Sequence, residues 1–168
     1  ADTVNHRIRK IVISSGVVTT LAGPSSELQF SGSTDATETS AKFKSPIGIT
    51  TDGTNLYVTD KSNHRIRKIV ISSGVVTTLA GSSSGSTDAT GTSARFKDPF
   101  GITTDGTNVY VTDYNNHTIR RIVISTGVVS TLAGTAGSSG STNDTGTSAR
   151  FYKPTGITTD GTNLYVSD

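Results

Sequence analysis

The stretch GITTDGTNLYVTDKSNHRIRKIVISSGVVTTLAG, residues 48–81, returns almost unchanged as residues 101–134. Its second half, NHRIRKIVISSGVVTTLAG, also occupies residues 5–23 without a single difference, and its first half reappears as GITTDGTNLYVSD at residues 156–168. Repetition at this scale marks stacked supersecondary units, none of which can bury its apolar surface alone. Whatever one unit folds into, the chain is a row of them.

Within the unit, Ile49-Thr50-Thr51 is a short β-branched run followed by Asp52-Gly53-Thr54-Asn55, and Asp-Gly is a strong hairpin signal because both residues accept positive φ. Leu56-Tyr57-Val58-Thr59 reads as a second strand, with Leu56 and Val58 on one face and Tyr57 and Thr59 on the other. Asp60 to Asn63 breaks it with polar turn formers. His64 to Ile71 reads as a third strand, Ser72-Ser73-Gly74 as a tight turn and Val75 to Leu79 as a fourth strand. One unit is therefore a four-stranded antiparallel meander of the kind that makes a propeller blade, and the expected fold class is an all-β propeller of such blades.

Composition agrees. The chain has no Cys, Met or Trp and 6% aromatic residues, so its core must come from Val, Ile and Leu. Ser and Thr make roughly a third of it, which suits strands and turns better than helices. Disulfides and thiolate metal sites are excluded. No segment approaches the ~20 apolar residues of a membrane-spanning helix. With no signal peptide ahead of Ala1, a soluble chain without membrane association is expected. A net charge of +2 and a pI near 9.0 fall short of a dedicated nucleic-acid binder. There is no GxSxG elbow, HExxH, Walker loop or cysteine nucleophile. The Gly-rich connections lead into Pro and a strand, whereas phosphate-cradling loops open a helix. No catalytic residue, metal or cofactor is expected.

Counted in blades, residues 6–23 supply strands three and four of one, residues 48–81 and 101–134 are whole blades, and residues 156–168 supply strands one and two of another. The chain thus carries the equivalent of three, whereas propellers close with roughly four to eight. Six is the multiple of three in that range. The expectation is a head-to-tail homodimer closing as a six-bladed ring, with Ile8, Val12, Val17 and Leu21 of one copy sharing a blade with Ile157, Leu164 and Val166 of the other. A monomer would leave two blade faces and two strand edges open to water.

The run ARFKDPFGITTDGTNVYVTDYNNHTIRRI, residues 94–122, resembles an NHL repeat, with its Pro-x-Gly-Ile start, Asp-Gly turn, Tyr-Val-x-Asp strand and Asn-His-x-Ile-Arg segment. The resemblance extends over all three repeat equivalents. It implies a propeller, commonly six-bladed, used mostly as a protein-interaction platform and in fewer members for RNA binding or lyase chemistry. Near-identical units in half a ring depart from the family pattern, and point to a recently amplified array or an engineered, fragment-derived scaffold.

Candidate site residues follow from position. His6, His64 and His117 recur at the start of strand three, spaced by whole blades and so too far apart to share a metal. Asp60 and Asn63, with their counterparts, are expected to satisfy turn backbone groups. Arg7, Arg9, Lys10, Arg65, Arg67, Lys68, Arg120 and Arg121 all lie in strand three. They are expected to pair between blades with Asp60-type carboxylates; the alternative is a positive ring for RNA or another polyanion. The three connections crowd the face that also carries the turn between strands two and three. Phe43, Phe96 and Phe151 are expected to anchor them, with Lys44, Lys97, Tyr152 and Lys153 exposed and the Gly/Ser tracts mobile. The candidate binding face for a protein or peptide comprises His6, His64, His117, Arg7, Arg65, Lys44, Lys97, Tyr114, Tyr152 and Lys153.

Overall fold

The computed structural model describes residues 1–26 and 30–168; residues 27–29, within the first connection, lie outside the description. Two sheets are complete four-stranded antiparallel meanders. One is built from β3 (Pro46–Thr51), β4 (Asn55–Asp60), β5 (Arg65–Val70) and β6 (Val76–Ala80). The other comprises β7 (Pro99–Thr104), β8 (Asn108–Asp113), β9 (Thr118–Val123) and β10 (Val129–Ala133). Flanking them are two-stranded sheets, β1 (Ile8–Ile11) with β2 (Val18–Ala22), and β11 (Ile157–Thr159) with β12 (Leu164–Val166).

Strand one of each blade starts earlier than its β-branched run suggests. Pro46 pairs with Asp60 and Pro99 with Asp113, across a register shift that ends at Ile49 and Ile102. Proline is tolerated there because it opens an edge strand and needs no N–H for the ladder. The Asp-Gly turn also works differently from the expectation. Only the glycine has positive φ (90° at Gly53), while Asp52 Oδ1 accepts the N–H groups of Thr54 and Asn55 and Oδ2 accepts the Tyr57 hydroxyl at 2.7 Å. The aspartate holds the loop with its side chain, as an Asx turn does, and leaves the left-handed conformation to glycine.

Both faces of the first complete blade are buried, against different neighbours. Tyr57, Ile66 and Ala80 of the first complete blade pack on Phe96, Ile102, Val109 and Val111 of the second. Its other face, with Val58, Ile69 and Val76, packs on Ile8, Ala22, Ala41 and Phe43. The Val, Ile and Leu of the repeats thus form thin apolar layers between blades. Phe43 and Phe96 are fully buried and anchor their connections as expected. Lys44, Lys97 and Tyr152 are exposed.

The innermost strands β3, β7 and β11 stand side by side, and this closeness is what glycine at the third position of β3 and of β7 permits. A Cβ on Gly48 would lie 2.5 Å from the Phe100 carbonyl oxygen, and one on Gly101 would collide with the Thr155 carbonyl. Backbone on both sides leaves neither free to yield. Gly101→Ala is therefore expected to cost about 1–3 kcal/mol through overpacking, read as a lower denaturant midpoint with an unchanged slope.

Candidate interaction face

The turns between strands two and three and the starts of the inner strands meet on one face, where Ser62 N–H donates to the Lys44 carbonyl and Asn115 N–H to that of Lys97. His6, His64 and His117 end the short 3-10 turns there in left-handed conformation, with φ of 55°, 55° and 61°. They precede strand three and do not begin it. Each ring points at the next repeat: Nδ1 accepts the backbone N–H of Ser45, Asp98 and Lys153 at 3.1, 3.2 and 3.0 Å. The histidines therefore latch one repeat to the lead-in of the following one. Because Nδ1 is the acceptor, His64 makes no N–H bond from that atom to Asp98 Oδ1, although the two lie 3.7 Å apart.

The strand-three arginines depart furthest from expectation. Arg67 and Arg120 are completely buried. Arg67 donates to Asp60 Oδ2 at 2.8 Å, to Asp35 Oδ1 at 2.6 Å and to the carbonyls of Lys42 and Thr34, with its guanidinium 4.9 Å from the Phe43 ring centroid. Arg120 repeats this with Asp113, Asp88, Arg95, Thr87 and Phe96. These pairs lie within a blade and tie the connection to it; the expected pairing between blades is not what forms. Asp60 and Asn63 bond each other across the turn at 2.8 Å, and for backbone partners they reach the connection rather than their own turn: Asp60 Oδ1 accepts the Lys44 N–H, and Asn63 donates to the Gly32 carbonyl at 2.6 Å. Arg7 and Arg65 are half-buried, with Nη1 on the Ser25 and Ser33 carbonyls. A polyanion ring made of strand-three arginines thus loses its central members.

The Gly/Ser tracts are tied down as well. Gly85 N–H donates to the Phe96 carbonyl and Gly140 N–H to that of Phe151, both at 3.1 Å, and Arg95 bonds the Ser83 hydroxyl. Among the described residues no group of three or more His, Asp or Glu is arranged to hold a metal ion.

The carboxylates divide into two populations. Burial pushes the Asp113 carboxyl up, to about 6, against the pull of Arg120, Asn116 and the Lys97 N–H. Burial raises Asp60 too, against Asn63, the Lys44 N–H and Arg67. In the turns, burial raises Asp52 and Asp105, but the hydrogen bonds of Asn55 and Asn108 and their neighbours together outweigh it and hold both below the usual carboxylate range, Asp105 at about 2. A raised carboxyl contributes stability that is complete below its unfolded value and is lost as pH rises through the folded value; a depressed one contributes stability lost as pH falls. The first population therefore weakens the fold as pH climbs from about 4 to about 6, and the second weakens it below about pH 4. Thermal midpoints are expected to be higher near about pH 5 than at about pH 7.5, and Asp113→Asn to flatten that slope.

One further cluster was only half visible in the sequence. On the face just described, Lys61 Nζ lies 5.7 Å from the Phe100 ring centroid, Phe100 stacks on Tyr114 at 5.6 Å, and Lys153 Nζ lies 5.7 Å from both Tyr114 and Tyr152. Tyr152 stacks in turn on His117 at 5.8 Å. Tyr114, Tyr152, Lys153 and His117 were candidates by position; Phe100 and Lys61 join them only through the spatial neighbourhood of consecutive repeats.

No family model matches the chain. It is 33% identical over 142 residues to NHL repeat-containing protein 2 of Homo sapiens, an alignment covering 79% of this chain and 19% of that protein. It superposes on a protein of unknown function from Bacteroides thetaiotaomicron with a TM-score of 0.76 at 24% identity, over 98% of this chain and 40% of the other. It also superposes on virginiamycin B lyase from Staphylococcus aureus, with a TM-score of 0.59 at 19% identity, over 99% and 43% of the two chains. The chain spans about a fifth of the length of the human relative, 19%, and at these identities the structural likenesses speak for the fold alone.

Proposed function

We propose, from the premise that this chain belongs to the NHL-repeat family, that it is a non-catalytic protein-interaction module whose polypeptide closes with a second copy into a six-bladed ring. The family relationship suggests the interaction role. The ring reading is carried by one observation. Asp168 Oδ1 accepts the Tyr152 N–H at 2.6 Å, as Asp60 Oδ1 accepts that of Lys44, yet among the described residues no arginine meets Asp168 as Arg67 meets Asp60. The counterpart of Arg67 at the other end is Arg9, whose side chain is 41% exposed and only loosely paired with Asp2 at 3.2 Å. A second copy would bring Arg9 to Asp168, with Asp2 giving way.

The open surfaces favour the same closure. Ile11 is 62% exposed and Val17 54% on the β1–β2 sheet, and Tyr165 is 56% exposed on the β11–β12 sheet. Ile119, Leu132, Phe151, Leu164 and Val166 line a cavity of about 270 Å³ behind β12. Ile8, expected to belong to the shared seam, is already buried in the chain's own core and Leu21 packs against that core, so the exposed share falls to Val12, Val17 and their neighbours, with Ile157 half-buried. The non-catalytic reading rests on the polar groups themselves: the histidines latch repeats, and the buried aspartates are committed to arginine and backbone. Light scattering on a size-exclusion eluate tests the assembly. A mass twice the 17.4 kDa of the chain supports the ring, and a stable monomer over a wide concentration range overturns it.

A further inference from the structure

The two complete units differ in chemical class at few positions, and these cluster. Lys61 becomes Tyr114, Ser62 becomes Asn115 and Arg65 becomes Thr118, all at or beside the turn between strands two and three. At and just ahead of the starts of the inner strands, Ile47, Phe100 and Thr155 correspond, as do Lys44, Lys97 and Tyr152, and Ser45, Asp98 and Lys153. Within the blades, divergence in chemical class is thus gathered on one face, while the connections differ along their own length, as at Glu38, Gly91 and Gly146; the outcome on that face is the row Lys61, Phe100, Tyr114, Lys153, Tyr152, His117, which crosses three successive repeats.

The row is not needed for the fold. Lys and Thr stand at the Tyr114 position in the sister repeats, and Lys at the Tyr152 position. Three of the five tyrosines donate to the aspartate of their own turn, Tyr57 to Asp52, Tyr110 to Asp105 and Tyr165 to Asp160; Tyr114 and Tyr152 are the two placed otherwise. The charge of the row is positive, with exposed Lys44 and Lys97 on the same face. Its neighbouring acids are Asp98, which accepts from Asn115 at 2.6 Å, and the exposed Asp168, which accepts the Tyr152 N–H at 2.6 Å, so the surplus of positive charge comes from Lys44 and Lys97. Ring faces are already occupied: Phe100 lies between Lys61 and Tyr114, and Tyr114 between Phe100 and Lys153. A nucleic-acid strand needs open ring faces on which bases stack. What the row still offers is ammonium donors, phenol hydroxyls and ring edges, which suit carboxylates carried on a chain with apolar stretches.

We propose that this aromatic and lysine row binds an extended acidic segment of a partner protein. The proposal rests on the interaction-module reading and is independent of ring closure.

The test uses the full chain, a fluorescein-labelled Glu/Asp-rich peptide of about a dozen residues and a labelled single-stranded oligonucleotide of equal charge, with binding read by anisotropy. Substitutions are drawn from the sister repeats, so the fold already accommodates them: Tyr114→Lys, Tyr152→Lys and Lys153→Asp. The peptide is expected to bind more tightly than the oligonucleotide and to weaken with salt. Each tyrosine variant is expected to weaken it by about tenfold, about 1.4 kcal/mol, although each adds a positive charge. Lys153→Asp is expected to weaken it further. Tighter peptide binding by the tyrosine variants would reduce the face to unspecific charge and overturn the proposal, as would tighter binding of the oligonucleotide or no peptide binding at about 1 mM. An unchanged solution mass in those variants separates failure of this site from failure of the assembly.

Discussion

Arg67→Leu is expected to lower the stability of the fold by about 3–5 kcal/mol, a large part of the total of a small domain. Leucine fills much of the apolar stem's volume, so the effect does not come mainly from a cavity. It comes from Asp60, which is fully buried and pairs with Arg67 at 2.8 Å. Removing the cation leaves the carboxylate with the Lys44 N–H and the Asn63 amide and no countercharge. Asp35, whose side chain is 45% exposed, loses a partner but keeps water, and should contribute little. The Lys42 and Thr34 carbonyls lose their donors at the same time, which frees the first connection from its blade. Pairing the change with Asp60→Asn, which keeps an acceptor for Lys44 without the charge, is expected to recover most of the loss in guanidinium denaturation. In the single variant, stability should also rise as pH falls through the raised Asp60 value, because burial without Arg67 lifts that carboxyl further and protonation relieves it. A loss below about 1 kcal/mol would show that the network is solvated despite its burial.

The contrast between Arg67 and the β-branched runs explains what the sequence does and does not disclose. Strand patterning and turn residues are local, so the four-stranded meander and the anchoring phenylalanines could be read directly. The role of Arg67 could not, because Asp35 lies 32 residues away and reaches it only once the connection folds back. The sequence suggests an Asp60-type carboxylate as the partner of such an arginine, but places the pair between blades, because which carboxylates surround it is known only from the fold. The same holds for His64, whose left-handed conformation and bond to the Asp98 N–H depend on the next repeat, 34 residues on. Asp52-Gly53 shows the opposite limit: the turn was legible, but its mechanism was not, since Asx capping and paired positive φ share one dipeptide. The Tyr114 and Tyr152 row falls between these cases. Its members stand out by differing from their sister repeats, but their stacking belongs to the packing of neighbours.

Val166→Lys is expected to abolish self-association while leaving each chain folded. Its equivalents Val58 and Val111 are fully buried, opposite Arg67 and Arg120 in the ladder of their own blades. Transposing that register to the proposed seam puts Leu164 opposite Ile11, Tyr165 opposite Lys10 and Val166 opposite Arg9 of a second copy. A lysine there would carry an unpaired ammonium into an apolar layer and face it with a guanidinium, a penalty of at least about 4 kcal/mol, or about a thousandfold in dissociation constant. Within one chain Val166 is only half-buried at the edge of a cavity, so the same lysine can reach water and the melting of the monomer should change little. Ile13→Lys supplies the control, since Ile13 is 99% exposed and lies beyond the end of β1. If Val166→Lys falls to the 17.4 kDa mass of one chain while Ile13→Lys keeps twice that value, the seam runs through β12 and β1. If both keep the doubled mass, two copies meet through some other surface, and the pairing of Asp168 with Arg9 is not what joins them.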